Sequence, residues 1–532
     1  MPLLGHSIIA GTAVPGNAGT VRAFSPALDA PVEPAYTLLD EDQVAAAVAS
    51  AAGASAAYAG TSPAERAAFL DAVAEEIEAL GDELVDRAHL ETGLSLARLT
   101  GERGRTCGQL RMFAAVARAG HHRGVRVDPA LPDRTPAARP DLRVRQVPLG
   151  PVVVFGASNF PLAFSTAGGD TASAWAAGCP VIVKAHPAHP GTSELVGAAV
   201  ARAAGRTGMP AGVFSLLFGA GDRIGQQLVT HPGVKAVGFT GSRAGGLALV
   251  AAAAGRPEPI PVYAEMSSVN PVVVLPGALA DPSAVATLAS GYLASLTGSA
   301  GQLCTKPGLL FLPTGPGGES FLAAVADAER GTPGTTMLTP GIRTAFDGGV
   351  DRLASAPGVA AVARGSAGDG ANAPGALIAA TDLATFHGDA SLADEVFGAA
   401  GLVIRYDPDS AQTLRDALAA LEGQLTATVR LDPSSDADLA LARLLLPVLE
   451  DRAGRVLVNG WPTGVEVTHA MVHGGPYPAT SDARSTSVGS LAIERFQRPV
   501  CYQDLPDALL PPDLQDANPW SLPRLVDGAP QT

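Results

Sequence analysis

Short apolar runs alternate with helical patterns through the middle of the chain. Helical spacing covers 161–177, 191–204, 222–230 and 243–254, and the apolar runs beside these segments are 152–155, 181–183, 213–217, 234–239 and 272–275. Strands that are apolar on both faces and separated by helices are typical of a parallel sheet with helices on each side. The pattern predicts a doubly wound α/β domain, in which ligands bind at the carboxyl ends of the strands.

Further patterns lie on both sides of this region. Residues 41–58 and 94–119 have helical composition, and Ser62, Pro63 and Glu65 predict the capped start of another helix. A second α/β region is expected after residue 304. Its predicted helices are 318–330, 411–422 and 436–448, and its predicted strands are 309–312, 376–378, 402–405, 426–431 and 456–458.

Residues 121–147 fit neither α/β pattern. Prolines at 129, 132, 136 and 140 stand among charged residues and oppose a central strand or a helix, whereas 141–147 alternate like an exposed strand. We interpret this segment as an excursion from the core. The proline-rich tail after residue 505 is expected to pack as irregular chain.

Length and composition narrow the class of protein. A chain of 532 residues suits roughly two to four domains. No apolar run approaches the ~20 residues of a membrane-spanning helix, and the first residues lack the regions of a signal peptide. The four cysteines have neither metal-ligand nor disulfide spacing, and the net charge is -15. We expect a cytoplasmic protein with reduced thiols, without a metal site, that binds neither membranes nor nucleic acid.

Cys304, in the run Gly301-Gln302-Leu303-Cys304, is the candidate nucleophile. The alternative for a single cysteine is a small buried hydrophobic residue. Asn159 follows the run at 152–155 in an Asn-Phe-Pro turn, where its amide can donate to a developing oxyanion. The alternative is an asparagine that only forms the turn.

Other charged and polar residues come at the ends of predicted strands. Lys184 follows the run at 181–183 and can meet ribose hydroxyls or phosphate. Gly241 and Ser242 open a helix whose free N–H groups suit a pyrophosphate, although a plain helix cap is the alternative. Glu265 has apolar neighbours, so we expect a raised pKa and a general-base role; the alternative is a capping or surface glutamate.

As a set, these residues resemble the aldehyde dehydrogenase superfamily. The resemblance spans about residues 5–505 and rests on the Gly-Gln-x-Cys motif, the Asn-Phe-Pro and Phe-Thr-Gly-Ser turns, and Asp394-Glu395-Val396-Phe397-Gly398, in the family's order. It implies an α/β fold with a Rossmann-type cofactor domain, an α/β catalytic domain and a small β oligomerisation element. The implied division is a helical part of the cofactor domain (1–120), an oligomerisation hairpin (121–147), the Rossmann-type domain (148–275), the catalytic domain (276–460), a return segment with the oligomerisation strand (461–505) and a tail (506–532).

The resemblance also implies roles for single residues. Cys304 corresponds to the nucleophile, Asn159 with the Cys304 backbone N–H to the oxyanion hole, and Glu265 to the base that activates the deacylating water. The implied reaction is NAD(P)-dependent oxidation of an aldehyde to a carboxylic acid through a thiohemiacetal and a thioester on Cys304. Implied cofactor contacts are Lys184, Gly241, Ser242, Glu395 and Phe397, with Arg223 as a further cation.

Departures from the family pattern refine this expectation. Ser267-Ser268 replaces a usual Gly-Gly after the kept acid, and Pro187 stands where NAD-preferring members have a glutamate that binds the ribose 2′-hydroxyl. NADP is therefore expected, with NAD possible, and Lys184 and Arg223 can supply charge for a 2′-phosphate. The segments 459–467 and 473–478 replace the usual proline- and phenylalanine-rich segment.

These segments, with 184–190 and 484–487, are similar to the NADP-accepting 2,5-dioxovalerate (α-ketoglutaric semialdehyde) dehydrogenases, which form 2-oxoglutarate. An anionic substrate needs a cation in the tunnel. Arg111 is the first candidate, before Arg105 and Lys306, and its alternative is a surface arginine. Candidate tunnel walls, the aromatic ones of which could equally be core, are Phe160, Phe164, Trp461 and Thr463.

Alternative functions stay open. Acyl transfer to coenzyme A, or a broad-specificity or fatty-aldehyde NADP dehydrogenase, would use the same fold, and a long-chain substrate would need no arginine in the tunnel. A catalytically silent binding or structural member is the alternative of another class; the retention of Cys304, Glu265, Asn159 and Lys184 together argues against it. The expected partners are a small-molecule aldehyde and further copies of the chain, in a homodimer or homotetramer.

Overall fold

The computed structural model describes residues 2–531, apart from the side chain of residue 222. The helices are α1 (Glu41–Ala59), α2 (Pro63–Glu78), α3 (Gly81–Thr92), α4 (Leu96–Ala119), α5 (Gly169–Ala177), α6 (Pro190–Arg206), α7 (Gly221–Thr230), α8 (Arg243–Ala254), α9 (Pro282–Thr297), α10 (Pro316–Glu329), α11 (Pro340–Ser355), α12 (Leu383–Gly388), α13 (Ala411–Ala419) and α14 (Asp436–Arg452). The strands are β1 (Ser7–Ile9), β2 (Thr12–Val14), β3 (Thr20–Ser25), β4 (Ala30–Thr37), β5 (Arg126–Asp128), β6 (Leu142–Pro148), β7 (Val152–Phe155), β8 (Val181–Lys184), β9 (Phe214–Leu217), β10 (Ala236–Thr240), β11 (Val262–Glu265), β12 (Val272–Val274), β13 (Leu309–Pro313), β14 (Ala360–Arg364), β15 (Leu377–Asp382), β16 (Ala400–Tyr406), β17 (Gln424–Arg430), β18 (Ala453–Val458), β19 (Gln497–Gln503), β20 (Arg524–Val526) and β21 (Ala529–Gln531).

The first sheet confirms the predicted doubly wound domain. Its order is β11-β10-β7-β8-β9-β1-β2, and the strands from β11 to β9 run parallel. Val152 and Val154 of β7 lie in the core on one face, whereas Val153 lies in the core on the other. Because successive side chains of a strand point to opposite faces, a strand between two layers of helices must be apolar throughout.

One predicted strand belongs elsewhere. The run at 272–275 was expected in the first sheet, but β12 pairs with β13 and β17 in a second sheet of order β14-β15-β16-β13-β12-β17-β18. The last strand of the first sheet is β11, which the sequence did not predict and which ends at Glu265. Glu265 therefore lies where the chain passes from one sheet to the other, at the carboxyl edge where ligands bind.

The excursion at 121–147 forms a third sheet of order β19-β6-β5-β20-β21. Its strand β6 pairs antiparallel with β19, as expected for an exposed strand with a C-terminal partner. The prediction of an irregular tail is wrong in part, because β20 and β21 form a hairpin and β20 lies parallel to β5. Asp513 of the tail is fully buried and binds Arg123 and Arg145, which ties the tail to this sheet.

The start of α2 agrees with the sequence prediction. Ser62 and Glu65 form the predicted capping box at the start of α2. The pattern at 161–177 is helical only from Gly169, and β1 to β4 as well as α3 and α11 were not predicted. No helix within residues 2–531 combines the length and the apolar character that crossing a bilayer requires.

Candidate active site

Cys304 lies in a tight loop that follows α9. Ser299, Ala300 and Gly301 all have left-handed backbone conformations, with φ of 56°, 57° and 68°. A Cβ on Gly301 would lie 2.3 Å from backbone atoms of Gly398 and Ala399, so only glycine fits there. The loop is thus packed against the segment that follows Glu395, and Cys304 at its end is half-buried.

Glu265, Cys304 and His473 form a compact cluster. His473 Nε2 lies 2.9 Å from Glu265 Oε1 and 3.4 Å from Cys304 Sγ, and the hydroxyl of Ser487 donates to Glu265 Oε2 at 2.9 Å. A carboxylate oxygen, the sulfur and an imidazole nitrogen all lie within 4.8 Å of one another. The cluster brings a thiol, a carboxylate and an imidazole together, the groups that nucleophilic and general-base catalysis use.

The fold holds these side chains from several directions. Glu265 pairs with Thr240 at the end of β10, and Met266 N–H donates to Ala479. His473 N–H donates to Thr486 Oγ1, and Ser487 N–H donates to the carbonyl of His473. The segment 473–487 therefore wraps over the end of β11 and places the imidazole between the carboxylate and the sulfur.

The pKa of Glu265 departs from the sequence prediction. Burial alone raises it, as expected, but the charge of His473 and hydrogen bonds from His473, Ser487 and Cys304 outweigh burial and lower the pKa. Burial alone lowers the pKa of His473, but Glu265 and Cys304 raise it overall. Glu265 and His473 therefore favour each other's charged forms, and the imidazole lies 3.4 Å from the Cys304 sulfur.

Asn159 lies beside the nucleophile loop. Its amide Nδ2 donates to the carbonyl of Gln302 at 3.0 Å, and its own carbonyl accepts from Arg98 at 2.6 Å. The backbone N–H groups of Leu162 and Ala163 donate to Glu102, which fixes the turn. Asn159 is thus held by both its backbone and its side chain, with its amide bound two residues before Cys304.

Two of the four predicted tunnel residues, Phe160 and Phe164, pack beside the cluster. The rings of Phe160 and Phe164 meet edge to face at 5.3 Å, and Phe164 lies 6.3 Å from the His473 ring. Further apolar side chains that the sequence analysis did not single out pack with them, namely Val465, Val467, Met471 and Val488. Trp461 instead packs on Tyr292 and Arg430, and the Thr463 hydroxyl bonds Ser295 at 2.7 Å, so both support α9.

The prediction of Arg111 as the substrate cation is wrong. Its two terminal nitrogens donate to the carboxylate of Glu78 at 2.6 Å each, and its side chain is 44% exposed. Lys306 does not face the aromatic walls either, because its Nζ donates to the carbonyls of Val396 and Ala400 at 2.8 Å. Of the three cations considered, only Arg105 lies at the aromatic walls, over the ring of Phe164 at 5.5 Å.

Three of the six residues predicted to bind a cofactor lie at the carboxyl edge of the first sheet. Lys184 ends β8, level with Phe155 of β7. Gly241 and Ser242 are exposed; Ser242 caps α8 by accepting from Gly245, and Gly241 N–H donates to the carbonyl of Glu265. This edge offers a lysine and a helix N-terminus beside the catalytic cluster, which fits a phosphate-bearing dinucleotide.

Glu395 lies on the other side of the nucleophile loop. Burial raises the pKa of Glu395 to about 7, and burial lowers the pKa of Lys306 to about 8. Both side chains line a cavity of about 260 Å³, and Phe397 is half-buried in the same segment. Arg223 lies apart at the surface, 79% exposed, in an ion pair with Glu41.

Sequence reasoning did not single out His473, Arg98 or Glu102. His473 was noted only as part of the unusual run His-Gly-Gly-Pro-Tyr-Pro, and it lies 208 positions after Glu265. Arg98, Glu102 and Arg105 are spaced at helical intervals in α4, and this signal could have found them as one face.

Known proteins resemble this chain along nearly its full length. A model of the aldehyde dehydrogenase family matches residues 14–477. The chain is 55% identical to alpha-ketoglutaric semialdehyde dehydrogenase 2 of Azospirillum brasilense over 530 residues, 99% of each chain. It is 46% identical to alpha-ketoglutaric semialdehyde dehydrogenase of Acinetobacter baylyi over 525 residues, 98% of each chain.

Solved structures share the fold at low sequence identity. A putative aldehyde dehydrogenase from Burkholderia cenocepacia superposes with a TM-score of 0.77 at 20% identity, covering 94% of this chain and 99% of that one. The structure of 3,6-anhydro-L-galactose dehydrogenase in complex with NAP has a TM-score of 0.79, also at 20% identity, with the same coverage. These similarities concern the arrangement of helices and strands.

Proposed function

The chain belongs to the aldehyde dehydrogenase family, and on that premise we propose that it oxidises α-ketoglutaric semialdehyde (2,5-dioxovalerate) to 2-oxoglutarate with NADP. The observation that carries the chemistry is the Glu265–His473–Cys304 cluster. The substrate is proposed from the two relatives named alpha-ketoglutaric semialdehyde dehydrogenase, at 55% and 46% identity.

Cys304 is the nucleophile of the first step. The sulfur adds to the aldehyde carbon as a thiolate, stabilised by the His473 imidazolium 3.4 Å away. The Asn159 amide and the Cys304 backbone N–H donate to the oxyanion of the resulting thiohemiacetal. Arg98 and Glu102 hold the Asn159 turn in place, so the donor needs little rearrangement during the reaction.

Glu265 acts in the second step. A bound nicotinamide cofactor would supply the hydride acceptor that converts the thiohemiacetal on Cys304 to a thioester. The Glu265 carboxylate accepts a proton from the water that attacks this thioester, and Ser487 and His473 keep it ionised and oriented. Hydrolysis releases the carboxylic acid and frees the thiolate.

The carboxyl edge of the first sheet supports NADP over NAD. Pro187 is exposed near the end of β8 and presents no carboxylate to repel a 2′-phosphate. Lys184 and Ser242 are the proposed contacts to ribose and phosphate, and Glu395 and Phe397 are further proposed cofactor contacts. Arg223 is available to a phosphate because an exposed ion pair, such as that with Glu41, contributes only about 0–1 kcal/mol.

We also propose that the protein is a homodimer or a homotetramer and that it works in a reducing cytoplasm. Strands β18 and β19 are outermost in their sheets, and an exposed edge strand is a ready site for pairing with another chain. The four cysteines are free, which supports a reducing compartment. Size-exclusion chromatography with light scattering measures the molar mass of the protein in solution. A monomer at micromolar concentration would contradict the proposed homo-oligomer.

Initial rates separate the proposed substrate from the alternatives. Wild type and Cys304→Ala are compared on α-ketoglutaric semialdehyde, pentanal and octanal, each with NADP and NAD. We expect the semialdehyde with NADP to be fastest and Cys304→Ala to be inactive. A preference for octanal would favour a fatty-aldehyde dehydrogenase, which the apolar walls Phe160, Phe164, Val465, Val467 and Met471 make the second candidate. A folded wild type inactive on every pair would favour a silent member.

A further inference from the structure

One face of α4 presents three charged side chains toward the Cys304 pocket. Arg98, Glu102 and Arg105 are four and three residues apart, so they project from the same side of the helix. Glu102 is buried, and the two arginines are largely enclosed. Burial of a charge is unfavourable unless the charge is paired, so each arginine near the Cys304 sulfur is expected to have a partner or a ligand.

Arg98 and Glu102 have hydrogen-bond partners within the protein. Arg98 donates to the Asn159 carbonyl at 2.6 Å and lies over the Phe160 ring at 4.8 Å. Glu102 Oε1 accepts from Leu162 and Ala163, and its other oxygen lies 3.9 Å from Arg98. Both residues position the turn that holds Asn159, and their charges largely compensate each other.

Within residues 2–531, Arg105 has two buried donors without a partner, whereas Arg98 has one, its Nη1. The two donors of Arg105 are Nε and Nη2. Its guanidinium lies over the Phe164 ring, the ring that also faces His473. The Nε–H and Nη2–H of an arginine form the side-on fork that binds a carboxylate through two parallel hydrogen bonds.

The acidic groups around Arg105 are paired with other residues or exposed, so the positive charge of Arg105 can still attract an anion. Burial lowers the pKa of Arg105, and the negative charges of Cys304, Glu102, Glu466 and Glu265 oppose this. Glu102 is shared with Arg98, Glu265 is paired with His473, and Glu466 is exposed.

Arg455 is a less suitable anchor. It also faces Cys304, but its two terminal nitrogens donate to the carbonyls of Pro462 and Gly464. Arg105 is therefore the cation near the sulfur that keeps a fork of unused donors.

We propose that Arg105 binds the carboxylate of the substrate through its Nε and Nη2, and so selects aldehydes with an acid group at the far end. This specificity role rests on the proposed function, since it requires an anionic aldehyde as substrate. Phe164 fixes the plane of the guanidinium, while the apolar walls enclose the carbon chain between the carboxylate and the aldehyde.

Paired substrates and paired variants test this role. Wild type, Arg105→Leu, Arg105→Lys and the control Arg111→Leu are compared on α-ketoglutaric semialdehyde, on glutaric semialdehyde, which keeps the carboxylate but lacks the 2-oxo group, and on pentanal, which has neither; all three have five carbons. Arg111 is the matched control because it is an arginine of the same helix that binds Glu78 at the surface.

We expect Arg105→Leu to lower kcat/KM for both semialdehydes about 10- to 150-fold, the value of hydrogen bonds to a charged group, mainly through KM. Activity on pentanal should stay within about threefold, Arg105→Lys should recover part of the loss, and Arg111→Leu should resemble wild type. An equal loss on all three substrates, or no loss on the semialdehydes, would overturn the proposal.

Alkylation of Cys304 tests the same charge without any turnover. Iodoacetate is an anion and iodoacetamide is neutral, so we expect Arg105→Leu to lower the ratio of their alkylation rates about tenfold. An unchanged ratio would overturn the role of Arg105. A wild type that prefers pentanal would overturn the proposed function, whereas a wild type that prefers the semialdehyde with an unaffected Arg105→Leu would overturn only this inference.

Discussion

Replacing His473 by glutamine perturbs the catalytic cluster with little change in volume. In the wild type, the buried Glu265 carboxylate accepts from His473 Nε2 and from the hydroxyl of Ser487. Glutamine keeps a hydrogen-bond donor but removes the positive charge that lies beside both the carboxylate and the Cys304 sulfur. We expect the pKa of Glu265 to rise and Cys304 to react more slowly with electrophiles.

The magnitude follows from the burial of the pair, since Glu265 is 4% and His473 1% exposed. Removal of one partner from a buried pair is destabilising by about 3–5 kcal/mol. We take about 3 kcal/mol, because glutamine still donates a hydrogen bond. The free energy of unfolding of His473→Gln should therefore be lower by about 3 kcal/mol, and the pKa of Glu265 should rise because burial then acts without the charge of His473.

The pH dependence of stability has a defined sign. The folded pKa of Glu265 is lowered, so its contribution is present above the unfolded value of about 4.3 and is lost as the pH falls. The folded pKa of His473 is raised, so its contribution is complete below about 6.5 and is lost as the pH rises through the folded value. The difference in unfolding free energy between wild type and His473→Gln should therefore be largest near pH 5–6.

The assay is the pH profile of kcat, with urea unfolding and iodoacetamide alkylation alongside. We expect the acid limb of His473→Gln to move to higher pH, because hydrolysis of the thioester needs the Glu265 carboxylate, whose pKa rises without the charge of His473. His469→Gln is the matched control, since His469 is exposed on the same segment. An acid limb and an alkylation rate that both match the wild type would refute the coupling of these residues.

Three further outcomes follow from other parts of the site. Pro187→Glu should shift the preference from NADP toward NAD by about tenfold or more in the ratio of kcat/KM, because the carboxylate would repel the 2′-phosphate. Gly301→Ala should lower activity and melting temperature, since φ is 68° and the new Cβ would clash with the backbone of Gly398; Gly298→Ala, with open space at its Cβ, is the control. Micromolar Zn²⁺ should inhibit the enzyme and slow alkylation of Cys304, because three possible ligands lie within 4.8 Å, and a chelator should reverse this.

The parts of the fold that were predictable share a local cause. Strand β7 was predicted with its observed bounds, because each of its residues must be apolar between two layers of helices. The start of α2 was predictable because the capping box is formed by residues three apart. The change of sheet between β11 and β12 was not predictable. Both strands are apolar, and each is assigned to its sheet by pairing with strands that are distant in sequence.

Site residues were predictable where the side chain and its neighbours in sequence were enough to suggest a role. Cys304 and Glu265 were found from their neighbours in sequence, but the lowered pKa of Glu265 depends on His473, 208 positions away. Arg111 and Arg105 look equivalent along α4, yet Glu78 neutralises one and Phe164 stacks on the other. Such differences arise from long-range contacts, which no local pattern encodes.

Mass spectrometry of Glu265→Gln during turnover tests the central claim, a thioester on Cys304 that Glu265 hydrolyses. The variant is mixed with NADP and α-ketoglutaric semialdehyde, quenched in acid and digested. We expect the Cys304 peptide to carry the oxidised acyl group in near-stoichiometric amount, while the wild type shows little. A variant that turns over at the wild-type rate without an adduct, or an acyl group on a different residue, would contradict the assigned roles of Cys304 and Glu265.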